Sequence, residues 1–506
     1  MTAILLGSLP LARSKAGRRN RPVPLWCRLS RSAQMGKTRP SVSSHRGANS
    51  RQIEYWPTSN LRPGPRVRKH SEAQIERICA SIERFGFLSP PLISDTGEII
   101  AGVARVEAAR RLRFDELPVL VASGLSAADL KAYRIADNRL SEMSSWDRDA
   151  LRLEFEAILE FDASFDLQFS GFDTAEIDLV LNPVSSEDEQ GPDDEAPAPD
   201  AIPVSRVGDV WRLGEHRLVC GDALSSEIFE VLMGGEPARL VLSDVPYNVP
   251  VDGHVGGLGK KHHREFVQAS GEMTPDEFED FLRKAIVVMA ANLVDGGVVG
   301  LFIDWRSVET MLRVGRELGL KLLNLIVWNK SNGGMGSLYR SKHELLCLFK
   351  KGKASHVNNV MLGAKGRYRT NVWDYAGVNT FGAGRMADLE AHPTVKPVAM
   401  IADAIMDLTD RNELVIDSFV GSGTLIVAAQ KTGRIARCTE LDPLYVDVAI
   451  RRFRSRFGIE AIHEATGQTF DAVAAERMSE PPEPTPDVDP PVRVRTRPVV
   501  PAAAET

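Results

Sequence analysis

Behind Ser71, apolar side chains recur at helical spacing at Ile75, Ile78 and Ile82. The stretch therefore reads as an amphipathic helix with a serine N-cap, stopped by Phe85-Gly86-Phe87. Pro91-Leu92-Ile93-Ser94 and the run ending at Ala101 predict two short strands around an Asp95-Thr96-Gly97 turn, and Gly102-Val103-Ala104-Arg105 opens a helix rich in Ala and Arg. Further along the pattern changes. Arg239 to Asp244 and Glu413 to Asp417 are apolar runs ending in an acid, as expected of strands buried in a parallel sheet. Leu425 to Lys431 then reads as a helix and Ile435 to Thr439 as a further strand.

Between these regions the pattern lapses. Residues 185–200 (SSEDEQGPDDEAPAPD) hold seven acids and no bulky apolar side chain, too little burial to offset the entropy of ordering. The division expected is a basic arm over 1–50, disordered or read from a wrong start, a first domain over 51–182, an acidic linker over 183–201, a second domain over 202–470 and a disordered tail over 471–506. Such a linker implies that 202–470 folds and works alone.

Composition narrows the class. At 506 residues, 43% hydrophobic and 26% charged, the chain has material for two cores. The formal charge of −6 conceals an arm with 10 Lys/Arg and no acid, which leaves 52 basic against 68 acidic residues, or −16, in the rest. An acidic body does not exclude nucleic acid, because binding follows local basic patches. The five cysteines are scattered without a C-x-x-C, against a disulfide framework or a zinc cluster. No apolar run approaches the ~20 residues that span a bilayer. A cytoplasmic protein without membrane or metal partners is the expectation.

Two motifs carry chemistry. Between strand and helix lies Ser418-Phe419-Val420-Gly421-Ser422-Gly423-Thr424, a glycine turn that admits a ligand close to backbone amides, and the next strand delivers Glu440. Strand, glycine turn, helix, strand and acid in that order describe a nucleoside site of the Rossmann kind, with the acid on ribose hydroxyls. The other motif is Asp244-Val245-Pro246-Tyr247. The Asp244 carboxylate and the Val245 carbonyl can accept the two hydrogens of an exocyclic amine while Tyr247 stacks on the ring that bears it.

Together, D-V-P-Y and D-S-F-V-G-S-G-T resemble the β class of amino-methylating DNA methyltransferases, whose usual motif is D-P-P-Y and whose catalytic motif precedes the cofactor glycines. The likeness includes N-G-G-M-G-S-L-Y-R-S-K-H-E-L (332–345), H-P-T-V-K-P (392–397) and E-L-D-P-L-Y (440–445). Val245 stands where the family has proline and keeps the carbonyl, with Pro246 biasing it to extended geometry. Earlier, R-V-R-K-H-S-E-A-Q-I, I-I-A-G, E-A-A-R-R-L and Y-R-I-A-D-N-R-L resemble the ParB-like domain, whose phosphate turn would place Gly102 and Arg105 on a phosphate.

The resemblance implies an α/β Rossmann-like methyltransferase domain, a mostly parallel sheet with helices on both faces, preceded by a smaller α+β ParB-like domain. It implies methyl transfer from S-adenosyl-L-methionine to N6 of adenine in double-stranded DNA, in a restriction-modification or orphan setting. Asp in the first motif position is typical of adenine enzymes. Cytosine N4, an RNA or protein amide, or a ParB-like DNA- or nucleotide-binding protein with a degenerate methylase half stay open. Asp244, Val245, Pro246 and Tyr247 would form the catalytic pocket. Asp417, Phe419, Gly421, Gly423, Thr424, Glu440, Thr394, Lys396 and Asp222 would hold the cofactor. Lys260, Lys261, Arg264, Lys365, Arg367 and Arg369 would face DNA. Lys350, Lys351 and Lys353 add another basic segment that could do so. No metal is implied, and a homodimer is left open.

Overall fold

A computed structural model describes residues 52–65, 68–182, 192–248, 271–331, 338–363, 367–377 and 395–479. In the first part β1 (Ile53–Pro57), β2 (Arg62–Pro63), α1 (Glu72–Phe85), β3 (Leu92–Ile93), β4 (Glu98–Ala101), α2 (Val103–Arg111) and β5 (Glu116–Val121) build a five-stranded sheet of order β1-β5-β3-β4-β2. Ser71 caps α1 as its sequence position predicts, accepting from the Gln74 amide at 3.2 Å. Ile93, Ile99, Val106 and Val119 form the core between sheet and helix. Three helices follow, α3 (Ala127–Glu142), α4 (Arg148–Phe161) and α5 (Thr174–Leu181). Phe155, Leu167 and Ile177 give the last two a core of their own.

The second part runs β6 (Val210–Leu213), β7 (His216–Cys220), α6 (Ser226–Met233), β8 (Ala238–Asp244), α7 (Pro275–Ala291), β9 (Leu293–Ile303), α8 (Val308–Glu317), β10 (Lys321–Asn329), β11 (His343–Lys350), β12 (Val372–Asp374), α9 (Val398–Leu408), β13 (Leu414–Asp417), α10 (Thr424–Thr432), β14 (Ile435–Glu440), α11 (Pro443–Phe457), β15 (Ala461–His463) and α12 (Phe470–Ser479). The sheet order is β12-β10-β11-β9-β8-β13-β14-β7-β6-β15. Its centre, β9-β8-β13-β14-β7, is parallel and its flanks bring in antiparallel pairs, so the sheet is mixed. Residues of α9, α10 and α11 pack on one face and residues of α6, α7 and α8 on the other.

Chain order locates the crevice. From β8 the chain passes through α7 to β9 on one side, and from β13 through α10 to β14 on the other. Neighbouring strands whose connections leave in opposite directions open a cleft beyond their carboxyl ends, where open α/β sheets bind ligands. Those ends are Asp244 and Asp417.

Two sequence expectations fail here. The second half of the acidic segment is not a free linker, because its acids meet basic groups and a helix end. Asp193 pairs with Lys431 and Arg456, and Asp200 with Arg451. Asp194 accepts from the amide of Val398, the first residue of α9, at 2.8 Å. The segment is a strap held by charge and by an orphan helix amide, so counting apolar side chains alone misjudged it. The tail expected from residue 471 begins as α12, anchored by buried Phe470 and Val473 and by Arg477, whose guanidinium reaches Asp209 at 2.9 Å. The two parts also meet at a buried ion pair. Asp178 of α5 takes both arms of Arg434 at 2.8 Å, with neither side chain exposed at all (0%/0%).

Candidate functional site

At the end of β8 the chain turns through Val245 and Pro246 to Tyr247. Val245 is buried and joins the α7 side of the core, so its aliphatic side chain is a packing group. The Tyr247 hydroxyl donates to Asp244 Oδ1 at 2.7 Å and lies 3.1 Å from Glu344 Oε2 on β11. Lys396, buried, pairs with Asp244 Oδ2 and, at 3.1 Å, with Glu344. Lys330, just past β10, pairs with the other oxygen of Glu344. Burial works against ionising Glu344, but the two ammonium groups outweigh it and hold its carboxyl down at about 2. Burial, then the two carboxylates, push the Tyr247 phenol well above its usual range, so it stays a neutral donor.

Across the crevice, Asp417 Oδ1 accepts from Ser243 Oγ at 2.6 Å and from the Phe419 amide at 3.1 Å. Glu440 accepts from the amides of Gly421 and Asp442, each at 2.9 Å. Burial pushes both carboxyls up to about 7 against these hydrogen bonds. Gly423 caps α10 with φ +85°, and a Cβ there would stand 2.9 Å from that of Ala449. The glycine is thus required twice, by the left-handed turn and by packing against α11. Thr424 starts α10 and is buried beside Arg452, whose guanidinium donates to its hydroxyl at 3.1 Å. Asp222 follows β7, the parallel neighbour of β14, and its carboxylate accepts from the Leu224 amide at 2.9 Å. A turn role for Asp222 is therefore present, at the strand end next to Glu440.

Other candidates fall elsewhere. Arg367 and Arg369 do not face DNA. Arg367, buried, and Arg369, half-buried, pair with Asp403 and Asp407 of α9 at 2.7 to 2.9 Å, because two adjacent turns of α9 present carboxylates that need cations. Lys350 ends β11 and Lys351 follows it at the sheet end away from Asp244, the two donating to the carbonyls of Ala354 and Leu293 at 2.6 Å each. Lys260, Lys261, Arg264, Lys365 and Thr394 lie outside the described residues. In the first part Gly102 caps α2 with φ +92°, and Arg105 spends its guanidinium on the Ser89 carbonyl at 3.0 Å and on the Ser89 hydroxyl.

The sequence reading gave no role to Glu344 or Lys330, although Glu344 stands in the quoted K-H-E, because nothing local reveals that β10 and β11 carry them under Tyr247. It also passed over Asn248. That residue adopts φ +56°, donates to the Met273 carbonyl at 2.8 Å and accepts from the Gly271 amide at 3.1 Å, tying the turn after β8 to the residues that precede α7. At the sheet end that carries Asp244, Trp305 and Arg306 follow β9 and Leu338, Tyr339, Arg340 and Lys342 lead into β11, with Trp305, Leu338 and Tyr339 48%, 83% and 84% exposed. Among the described residues no group of His, Cys, Asp and Glu could hold a metal ion, and no helix is long and apolar enough to cross a membrane.

Comparison with known proteins sets this geometry in context. Residues 238–451 match the family model described as DNA methylase, of the N6/N4 type, and residues 149–207 that of the ParB-methyltransferase HTH domain. The type II methyltransferase M.HpaI of Haemophilus parainfluenzae is 22% identical over 265 residues, 49% of this chain and 78% of that protein. The ParB-like nuclease domain-containing protein YnaK of Escherichia coli K12 is 45% identical over 75 residues, 15% of this chain and 86% of that protein. Among solved structures, the M1.HpyAVI–SAM complex is 19% identical and covers 46% of this chain and 98% of its own, with a TM-score of 0.34.

Proposed function

Since residues 238–451 match the N6/N4 DNA methylases and a ParB-like region lies ahead of them, we propose that this chain methylates N6 of adenine in double-stranded DNA. The donor is S-adenosylmethionine. One observation carries the reading: Asp244 and Tyr247 stand directly across the sheet's switch point from Asp417, the glycine turn and Glu440. The Asp417 and Glu440 carboxylates and the amides opening α10 suit a ligand with an amino group, ribose hydroxyls and a carboxylate. Bound there, S-adenosylmethionine supplies a methyl group on a sulfonium centre. The target base, inaccessible in the duplex, must be flipped into the crevice. Asp244 and the Val245 carbonyl accept the amine's two hydrogens and turn its lone pair toward the methyl. Tyr247 stacks on the ring, and Asp244 takes up the proton that nitrogen sheds on methylation. Trp305, Tyr339 and the nearby Arg340 and Lys342 offer rings and cations to the displaced strand and phosphates. Asp rather than Ser at position 244 supports adenine over cytosine. Single-molecule sequencing of DNA from a host free of adenine methylation, expressing this chain, should show N6-methyladenine at one recurring motif. N4-methylcytosine would change the base, and an unmodified genome would contradict the reading.

The two carboxyls held near 7 make cofactor binding pH-dependent. Binding favours their ionised forms, so S-adenosylmethionine should bind more tightly as pH rises from 6 to 8, releasing protons. Folding runs the other way. With folded values of about 7 above the ~4 of an exposed carboxyl, the cofactor-free fold binds more protons than the unfolded chain in that window. The contribution of these two groups to folding is therefore fully present below about 4 and is lost as pH rises through 7. Calorimetry in buffers of different ionisation heat reads the protons directly, and Glu440→Gln should release fewer. Affinity flat in pH, with no proton released, would contradict these roles.

A further inference from the structure

The pocket stands on a four-charge cluster of which the reaction as described uses Asp244 alone. Two carboxylates, Asp244 and Glu344, converge on one phenol, at 2.7 Å and 3.1 Å from the Tyr247 hydroxyl. A phenol has one proton to donate, so two anions there repel each other unless cations intervene. Lys396 and Lys330 supply them: Lys396 bridges the two carboxylates and Lys330 takes the outer oxygen of Glu344. The Lys396 ammonium also sits 5.0 Å from the Phe302 ring centroid and 5.8 Å from those of Tyr247 and Trp328. Attraction to these rings offsets the rotamer entropy that the long side chain loses on ordering. An ammonium has three N–H donors. Here they meet Asp244, Glu344 and, at 3.5 Å, the Tyr247 oxygen, which leaves none aimed at a cofactor.

We propose that Lys396, Glu344 and Lys330 are positioning residues on the substrate side, fixing the Asp244 carboxylate and the Tyr247 ring where the target amine must dock, and that Lys396 is not a cofactor ligand. The inference rests on the methyltransferase reading above. The charged and titratable groups facing Asp244 are Tyr247 on its own turn, Lys396 before α9, Glu344 on β11 with Lys330 behind it, and Asp417 at the end of β13. Removing a cation from this balance leaves two carboxylates repelling each other beside one phenol, and removing the second carboxylate relieves that repulsion. Opposite charge deletions thus shift the acid limb of the rate profile in opposite directions, which a merely structural role does not do.

The test measures kcat against pH and the dissociation constant of S-adenosylmethionine for the full chain and for Lys396→Met, Glu344→Gln and the double variant. Lys396→Met should lower kcat at neutral pH by about 10²-fold, the scale of a lost preorganising contact. Its acid limb should move up while cofactor affinity stays within a few-fold. Glu344→Gln should move the limb down. The double variant, which loses one charge of each sign, should bring the limb back toward the parent and gives a readout if Lys396→Met alone fails to fold. Weaker cofactor binding by tenfold or more with the limb unmoved would make Lys396 a cofactor ligand and overturn the proposal. So would folded variants with parental kcat. An inactive parent chain would instead defeat the methyltransferase reading itself.

Discussion

A chain beginning at residue 202 should fail to give a stable, soluble domain, although the acidic composition of 185–200 suggests a clean cut there. Such a fragment keeps Arg434, fully buried, but loses Asp178, which takes both arms of its guanidinium. Breaking a buried pair from one side costs about 3–5 kcal/mol, because the guanidinium keeps its hydrogen bonds to Thr409 and Thr432 but loses its counter-ion. The fragment also loses the Asp194 carboxylate on the Val398 amide and the Asp193 pairs to Lys431 and Arg456. Val398 lies two residues from Lys396, so the strap pins the start of α9 where it feeds the pocket. In the full chain, Asp178→Ala should lower the urea midpoint by an amount matching that same ~3–5 kcal/mol. Asp178→Asn, which keeps hydrogen-bond acceptance, should cost less. A 202–479 fragment with the parent's melting temperature would show that the two parts are independent modules after all.

Asp244→Ala carries the largest expected effect on activity. Asp244 is the proposed acceptor for the amine and for the proton it sheds, and no other described side chain at the end of β8 offers both. Loss of a single preorganised contact of this kind typically costs about 10²–10³-fold in kcat, and Asp244→Ala adds the loss of the proton acceptor. Cofactor affinity should stay nearly intact, since Asp417 and Glu440 hold their own backbone partners independently of it. Turnover under saturating DNA, with calorimetry on the same preparation, separates the two quantities. Near-parental kcat would place the reacting amine elsewhere.

Local pattern carried the central strands and both chemical motifs. Asp244 and Asp417 end apolar runs, and a strand buried on both faces needs apolar side chains at successive positions, which distinguishes it in the sequence. Ser71 was legible for a similar reason, since a helix cap is made by residues three apart. What escaped depends on contacts between residues far apart in the chain. Glu344 meets Tyr247 across 97 positions and Asp178 meets Arg434 across 256. Arg367 and Arg369 illustrate the reverse error, because a cation in a basic run reads as solvated until the carboxylates of α9 are brought against it. The strap over 192–201 has no apolar signature in the sequence, because Asp193 and Asp194 are held by cations and by a helix amide from distant parts of the chain.

The most direct test of the central claim follows the methyl group. Full-length protein is incubated with unmethylated double-stranded DNA and S-adenosylmethionine isotopically labelled in its methyl group, and the DNA is digested to nucleosides for mass spectrometry. The expected result is label in N6-methyldeoxyadenosine, absent when Asp244→Ala replaces the parent. A folded protein that binds S-adenosylmethionine yet leaves every nucleoside unlabelled, or that places the label on a ring carbon instead of an exocyclic amine, would contradict the account.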